Sequence, residues 1–329
     1  MTEYKNILLI NFGGIGDEIL FLPTIASLKK NYPDAKITLC LEPRSKSIKD
    51  LTTLIDNLLL IDIKGKNKYT ELLKLYWNAL KGNFDIVISS GSNKLIPVLL
   101  FFTGIKTRIG YNSGELSKLL LTKAIDLNQN QYAAKMYHSL IESLISTEYQ
   151  NPKIEVEETD IIPNSVIVHP GVSKMSITKN IIKNWENINW AILIEELIKK
   201  GKKVYLAGGP DDKDCIELIR NYLKEKGITN YTDLYGKTKN IKDLAKFIKS
   251  CETLICSDSA PMHIGIATDT KTIAIFGPTD EKKLIPASNK FLAITNNSDC
   301  RPCLWDKRQT SCERLDCLKL NVKQITDLL

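Results

Sequence analysis

A polar segment between two apolar stretches carries the residues best suited to bind an anion. The run Cys256-Ser257-Asp258-Ser259-Ala260-Pro261-Met262-His263 closes a predicted strand and opens a predicted helix. Asp258 is predicted to cap this helix, with Ser259 and Ala260 offering free N–H groups and His263 one turn further on. Because the first N–H groups of a helix lack partners and lie at the positive end of its dipole, this turn favours a phosphate.

A second candidate lies near the N-terminus, where Gly13-Gly14-Ile15-Gly16-Asp17 follows a predicted strand and precedes a predicted helix. The glycines let the backbone approach a ligand closely, so Gly14 and Gly16 are predicted ligand-binding positions. The spacing differs from the dinucleotide pattern G-x-G-x-x-G. The alternative is a tight turn in which Asp17 simply caps the helix, and the sequence leaves both interpretations of the turn open.

Two further loops end predicted strands. His169-Pro170-Gly171-Val172-Ser173 is followed by a polar loop to Lys183-Asn184-Trp185, where a serine hydroxyl and a lysine ammonium can hold phosphate oxygens. Trp185 and Trp190 are predicted to pack in the core, and His169 to be a hydrogen-bonded residue at a strand end. Gly208-Gly209-Pro210-Asp211 closes the neighbouring strand. The three strand ends of the second half, which precede Pro170, Gly208 and Asp258, are therefore predicted to lie along one edge of the same sheet.

The eight cysteines form two groups. Cys40, Cys215, Cys251 and Cys256 lie in or beside apolar segments and are predicted to be buried thiols. Cys300, Cys303, Cys312 and Cys317 cluster within 18 residues and begin with a C-x2-C pair. This cluster is predicted to be either a structural zinc or iron site, or a set of thiols that are reduced or form a disulfide on purification.

Alternating strands and helices place these turns. The predicted strands are Asn6–Phe12, Ile37–Leu41, Leu58–Ile63, Asp85–Ser89, Arg108–Tyr111, Ser165–His169, Lys203–Ala207, Thr232–Tyr235, Thr253–Ser257 and Thr272–Phe276. This alternation predicts an α/β protein of two doubly wound parallel sheets, residues 1–158 and 159–329, joined by a polar linker over Gln150–Pro163. Such halves put a ligand cleft at the carboxyl ends of their strands.

Composition excludes several classes of protein. The chain has 329 residues, 43% hydrophobic and 25% charged, with a net charge of +7. No run of five Lys or Arg and no nucleic-acid motif occurs, so nucleic acid is not an expected partner. The longest apolar run, Leu95–Ile105, is too short to span a bilayer, and no secretory signal is visible. We therefore expect a cytoplasmic protein.

These motifs, in this order and spacing, resemble the family-nine glycosyltransferases, the ADP-heptose:lipopolysaccharide heptosyltransferases. Besides the turns at Gly13, His169, Lys183, Gly208 and Asp258, the resemblance includes Phe276-Gly277-Pro278-Thr279 and covers nearly the whole chain. It implies a GT-B fold of two Rossmann-like domains that face a central cleft. The N-terminal domain would bind the acceptor and the C-terminal domain the nucleotide-sugar.

The resemblance also implies residue roles. Asp17 matches the proposed general base, Lys183 the lysine that contacts the diphosphate, and Ser259, Ala260 and His263 the phosphate loop. Ser173 matches a phosphate-binding hydroxyl, and Asp211 a position near the nucleoside. Arg44 and Lys46 offer basic groups on the acceptor side, although no family motif fixes their role.

The implied reaction is an inverting transfer of heptose from ADP-heptose onto a lipopolysaccharide core or related glycan or glycolipid, with no cofactor or metal needed for catalysis. The resemblance also allows the protein to contact the cytoplasmic face of the inner membrane peripherally. The alternatives are another nucleotide-sugar, a protein acceptor, or a nucleotide-sugar epimerase or hydrolase on the same scaffold.

Overall fold

The computed structural model describes residues 3–91, 93–178, 181–304 and 312–329. Its contacts divide the chain into two compact units, Met1–Glu155 and Val156–Leu329. Each unit contains one six-stranded sheet whose strands are all parallel, with helices between them. The predicted α/β class of two doubly wound parallel sheets is confirmed.

The N-terminal unit orders its strands β3-β2-β1-β4-β5-β6. Its elements are β1 (Asn6–Ile10), α1 (Ile15–Asn31), β2 (Lys36–Leu41), a 3-10 segment (Pro43–Leu51), β3 (Asn57–Leu60), α2 (Lys68–Lys81), β4 (Ile86–Ser89), α3 (Leu95–Phe102), β5 (Thr107–Tyr111), α4 (Glu115–Leu120), β6 (Lys123–Ile125) and α5 (Ala133–Ser139). β1 is central and almost wholly apolar, as expected for a parallel strand covered on both faces. One face is covered by α2 and α3, whose Leu75, Ala79 and Leu100 pack against Leu8 and Val87.

The C-terminal unit orders its strands β12-β11-β10-β7-β8-β9. Its elements are β7 (Ile162–His169), α6 (Lys174–Thr178), α7 (Asn187–Lys199), β8 (Lys203–Leu206), a 3-10 turn (Pro210–Asp212), α8 (Lys213–Glu225), β9 (Tyr231–Asp233), α9 (Ile241–Lys249), β10 (Cys251–Ser257), α10 (Ala260–Ala267), β11 (Lys271–Ile275), α11 (Glu281–Leu284), β12 (Phe291–Ile294), a 3-10 turn (Asp316–Leu318) and α12 (Val322–Thr326). Trp185 and Trp190 are fully buried edge to face, with ring centroids 5.3 Å apart, which confirms their predicted packing.

The structure differs from the sequence prediction at three strands. The edge strands β6 and β12, of three and four residues, were not predicted, although the edge strands β3 and β9 are equally short and were predicted. The predicted linker ran through Pro163, but β7 already begins at Ile162. Proline lacks an N–H group, and here it is tolerated because the pairing of β7 with β10 shifts register at a bulge that also holds Asn164 at φ +63°.

Among the four cysteines predicted to be buried, Cys40, Cys251 and Cys256 are buried and Cys215 is half-buried. Within the described ranges, no helix is both long enough and apolar enough to cross a membrane.

Candidate active site

The turn after β1 holds Asp17 in a fixed position. Helix α1 begins at Ile15, so Asp17 lies in its first turn, where its Oδ2 accepts the Gly14 N–H at 2.8 Å. A Cβ on Gly13 would lie 2.2 Å from the Cβ of Asp17, which explains why this position is a glycine. One carboxylate oxygen therefore has the capping function that the sequence left open. Asp17 is partly exposed to solvent, unlike the next residue along the helix.

Glu18 is a buried acid that the sequence analysis missed. Asn11 donates to its Oε2 at 3.1 Å, and the Ser90 hydroxyl donates to Asn11 at 2.6 Å. Burial raises the pKa of the Glu18 carboxyl well above its ordinary value, and the carboxylates of Asp17 and Glu42 raise it further. This shift favours the protonated form of the Glu18 carboxyl. The available signal was its position directly before the apolar stretch Ile19–Phe21, where burial of an unpaired charge is costly.

Basic groups lie near the same turn. Buried Glu42 accepts Arg44 Nε at 2.6 Å and forms an ion pair with Lys64 Nζ at 3.1 Å. Lys64 also donates to the carbonyl of Phe12 at 2.7 Å, which ties the loop after β3 to the loop after β1. The sequence analysis named Arg44 but missed Lys64, because no motif marks it. Lys46 is exposed.

In the C-terminal unit, the Asp258 carboxylate is the centre of a cluster of polar side chains. Its Oδ2 accepts Lys183 Nζ at 2.9 Å and the Thr279 hydroxyl at 2.5 Å. Burial raises the pKa of this carboxyl, but Lys183, the Thr279 hydrogen bond and nearby His263 outweigh burial, so the net pKa is lowered. Thr279 lies in the motif Phe276-Gly277-Pro278-Thr279, which did not by itself predict a function for this hydroxyl.

The predicted capping by Asp258 is wrong. Ser259 occupies the N-cap position of α10, and the Asp258 side chain bonds to Lys183 and Thr279 instead. The physical reason is that the Asp258 backbone N–H still bonds to the β11 carbonyl of Ile275, so the residue belongs to the sheet edge. The N–H groups of Ser259 and Ala260 remain at the helix start, both partly exposed, and Pro261 follows without an N–H.

A neighbouring pair joins β7 to the turn after β8. Asp212 Oδ2 accepts the Gly209 N–H at 2.7 Å and lies 4.0 Å from His169 Nε2. Gly171 leaves room for this carboxylate, since a Cβ there would lie 2.0 Å from its Oδ1. Burial lowers the pKa of His169 and Asp212 partly offsets this, so the imidazole is neutral at pH 7.

Two predicted binding residues, Asp211 and Ser173, are exposed. Asp211 is exposed in the 3-10 turn, whereas its neighbour Asp212, which the sequence analysis did not single out, is the buried acid. Ser173 is exposed and its hydroxyl pairs with that of Ser176 at 2.9 Å.

The four clustered cysteines line one pocket of about 200 Å³. Burial raises the pKa of the Cys317 thiol to about 11, with added contributions from Cys300 and Cys303. Among the described residues, no group of three or more His, Cys, Asp or Glu side chains is arranged to hold a metal ion, so the structure does not confirm the predicted zinc or iron. Residues 305–311, between Cys303 and Cys312, lie outside the described ranges.

Comparison with known proteins gives consistent results. The model of the family described as glycosyltransferase family 9 (heptosyltransferase) matches residues 73–313. Lipopolysaccharide heptosyltransferase 3 of Escherichia coli is 25% identical over 297 residues, which cover 84% of this chain and 85% of that protein.

Solved structures agree with these matches. A family 9 glycosyl transferase from Veillonella parvula DSM 2008 is 26% identical, with a TM-score of 0.71 over 89% of this chain and 85% of its own. The E. coli ADP-heptose lipopolysaccharide heptosyltransferase II is 19% identical, with a TM-score of 0.72 over 98% of both chains. The predicted GT-B fold is confirmed.

Proposed function

Because the chain belongs to glycosyltransferase family 9, we propose that it transfers heptose from ADP-heptose, with inversion, onto a lipopolysaccharide core or related glycan. The observation that carries the donor side is the Lys183–Asp258–Thr279 cluster beside the first turn of α10. It combines a fixed ammonium with free helix N–H groups, which is the chemistry that binds a diphosphate.

In this proposal the C-terminal unit binds the donor. The Lys183 ammonium, held by buried Asp258, neutralises charge as the diphosphate leaves, and the N–H groups of Ser259 and Ala260 hydrogen-bond its oxygens. His263 lies in the same helix turn. Ser173 and Asp211 are proposed to reach the donor from the exposed rim, and their exposure leaves them accessible to a ligand.

The N-terminal unit then supplies the base and binds the acceptor. Inverting transfer needs a group that removes the proton of the acceptor hydroxyl as the sugar–diphosphate bond breaks. Asp17 is proposed for this function, because its carboxylate is partly exposed and fixed by Gly14, while neighbouring Glu18 is buried and its pKa is raised by that burial. Gly14 and Gly16 give the acceptor close access to the backbone.

A transfer assay tests this function directly. The purified protein is incubated with ADP-heptose, with and without a water-soluble, deacylated core oligosaccharide, and both ADP and elongated glycan are measured. We expect ADP release only when the acceptor is present. Release of ADP without acceptor would indicate a hydrolase, and an altered sugar nucleotide would indicate an epimerase; either result contradicts the proposal. Parallel reactions with ADP-glucose and a UDP-sugar test donor choice.

Since the proposed acceptor is attached to a lipid, we also infer that the enzyme works at a membrane surface. Lipopolysaccharide precursors carry their core sugars on a bilayer-embedded anchor, so the acceptor-binding unit must approach the headgroups.

We further propose that Cys300, Cys303, Cys312 and Cys317 hold a structural zinc or iron ion. The support is the donor set, four thiols lining one pocket, which suits either metal. Elemental analysis of protein prepared under reducing conditions is expected to find one metal per chain, lost in Cys300→Ser/Cys303→Ser but kept in a Cys215→Ser control. Metal-free wild-type protein would identify the cluster as reduced thiols.

A further inference from the structure

Exposed apolar side chains are concentrated on one layer of helices. Of the fourteen large apolar side chains exposed in the described part of the chain, nine lie on α2, α3 and α4. The other five are scattered over the C-terminal unit. Large exposed apolar patches on a folded protein mark binding surfaces, so we expect this layer of helices to bind a partner.

Helix α2 has two separate apolar stripes. Leu72, Leu75 and Ala79 face the core. Tyr69, Leu73, Trp77 and Leu80 recur at intervals of four, four and three residues, so they share a second face, and all four are exposed. A helix that only covered a sheet would need the first stripe alone.

Helices α3 and α4 extend this second face. Leu95, Phe101 and Phe102 are exposed on α3, and Leu116 and Leu119 on α4. The Tyr76 hydroxyl of α2 reaches the carbonyl of Phe102 at 3.5 Å. Arg108 contacts both α3 and α4.

The Arg108 guanidinium lies 5.5 Å from the centre of the Phe101 ring and donates from Nε to the carbonyl of Leu120 at 2.9 Å. The outward apolar side chains of α2, α3 and α4 therefore form one continuous surface, here called the α2–α4 surface.

The segment of the chain that carries this surface also has a net positive charge. Residues 64–123 contain ten Lys and Arg against three Asp and Glu, a net charge of +7. That equals the net charge of the entire chain, so the remaining 269 residues are balanced. Lys81 lies 5.8 Å above the Trp77 ring, which shows how closely cations border the apolar side chains.

We propose that the α2–α4 surface docks on a bilayer that contains anionic lipids. Exposed Trp, Tyr, Phe and Leu flanked by lysines are the side chains that insert at the headgroup boundary, and an anionic leaflet attracts the surrounding cations. A second copy of the chain is a poorer partner, because it would bring the same +7 segment against this one. The proposal deepens the proposed function, since docking of this unit would bring it to a lipid-linked acceptor.

The test is co-sedimentation of the full-length protein with vesicles, without donor or acceptor. Vesicles of phosphatidylcholine plus phosphatidylglycerol are expected to bind the protein, and phosphatidylcholine alone to bind it at least about fivefold more weakly, since each lysine near an anionic surface contributes about fivefold. High salt should weaken binding to the anionic vesicles.

Matched variants locate the contact. Leu73→Glu/Leu119→Glu replaces leucines that are 58% and 77% exposed, and binding should fall about tenfold or more. Ile161→Glu/Leu218→Glu adds the same charge at side chains 60% and 56% exposed in the C-terminal unit, and should bind within about twofold of wild type. All four positions are exposed, so neither variant threatens folding.

The proposal is overturned if wild type does not bind anionic vesicles, or if both double variants bind equally well. It is also overturned if sedimentation velocity shows a dimer that only Leu73→Glu/Leu119→Glu dissociates, because the surface would then bind a second copy. Heptosyl transfer to a water-soluble acceptor is measured separately, so loss of vesicle binding leaves the transferase assignment standing.

Discussion

Lys183 and Asp258 form a largely buried ion pair whose members depend on each other. Removing one member of such a pair leaves an uncompensated buried charge, which costs about 3–5 kcal/mol for a fully buried pair. We expect Lys183→Ala to lower the free energy of unfolding by about 2–3 kcal/mol, because Lys183 keeps some exposure, and to weaken ADP binding.

The double variant separates these two effects. Lys183→Ala/Asp258→Asn removes the stranded charge and should recover much of the stability, but not the affinity for ADP measured by calorimetry. Lys290→Ala is the control, since Lys290 pairs with Asp269 at an exposed site and should change neither quantity. Recovery of ADP affinity in the double variant would show that Lys183 only stabilises the fold.

Asp17→Asn tests the proposed base. The asparagine side-chain oxygen can still accept the Gly14 N–H, so the turn should keep its structure. Loss of a general base lowers turnover by about two to four orders of magnitude. Transfer rates at saturating donor should show this fall while ADP affinity stays unchanged. A variant that kept more than about a tenth of the wild-type rate, against the fall expected for a base, would reduce Asp17 to a helix cap.

The raised pKa of Glu18 predicts that the free energy of unfolding depends on pH. Its pKa is raised in the folded protein, so above about pH 4.5 the folded state holds a proton that the unfolded state releases. The contribution of Glu18 to the free energy of unfolding therefore falls as pH rises towards the raised pKa, by up to about 1.4 kcal/mol per pH unit.

Urea unfolding of Glu18→Gln between pH 5 and pH 8, roughly the window above the ordinary carboxyl pKa, should show a flatter profile than wild type and higher stability at the alkaline end. Exposed Glu225→Gln is the control. A Glu18→Gln profile parallel to that of wild type would mean that Glu18 is ionised in the folded protein.

At the scale of elements, the adjacent glycines Gly13 and Gly14 in the turn before α1 differ in the space available for a side chain. A Cβ on Gly13 would lie 2.2 Å from Asp17 Cβ, whereas the nearest atom to a Cβ on Gly14 is 3.8 Å away. Gly13→Ala should therefore displace the start of α1 and lower stability by about 1–3 kcal/mol. Gly14→Ala should leave the melting temperature nearly unchanged. Equal melting temperatures for the two variants would contradict this account of the turn.

The elements themselves were largely predictable. β1 and the centre of β10, residues 254–256, are apolar runs, and the helices between successive strands predicted the parallel pairing within each sheet. The edge strands β6 and β12 were missed, although the equally short edge strands β3 and β9 were predicted, so their length alone does not explain the difference.

For the whole molecule, the donor proposal predicts stabilisation by ligand. ADP that binds only the folded chain should stabilise it by about 2.7 kcal/mol at a hundredfold excess over Kd. Thermal shift with ADP, AMP and adenosine is expected to rank them in that order, because the Lys183 cluster binds phosphate rather than the nucleoside. Equal shifts for ADP and adenosine would contradict the phosphate site.

The sequence alone determined the two doubly wound halves, the turns that end their strands and the family resemblance, because apolar periodicity, glycines and short motifs are local properties. Tertiary structure decided what each side chain does at those turns. Asp258 binds Lys183, 75 residues away, instead of capping its own helix, and the pKa of Glu18 is raised because the folded chain excludes water from it. The second face of α2 shows the same limit. Its apolar spacing is visible in the sequence, yet only packing decides which stripe the sheet covers and which is left exposed, since burial depends on contacts made by residues distant along the chain.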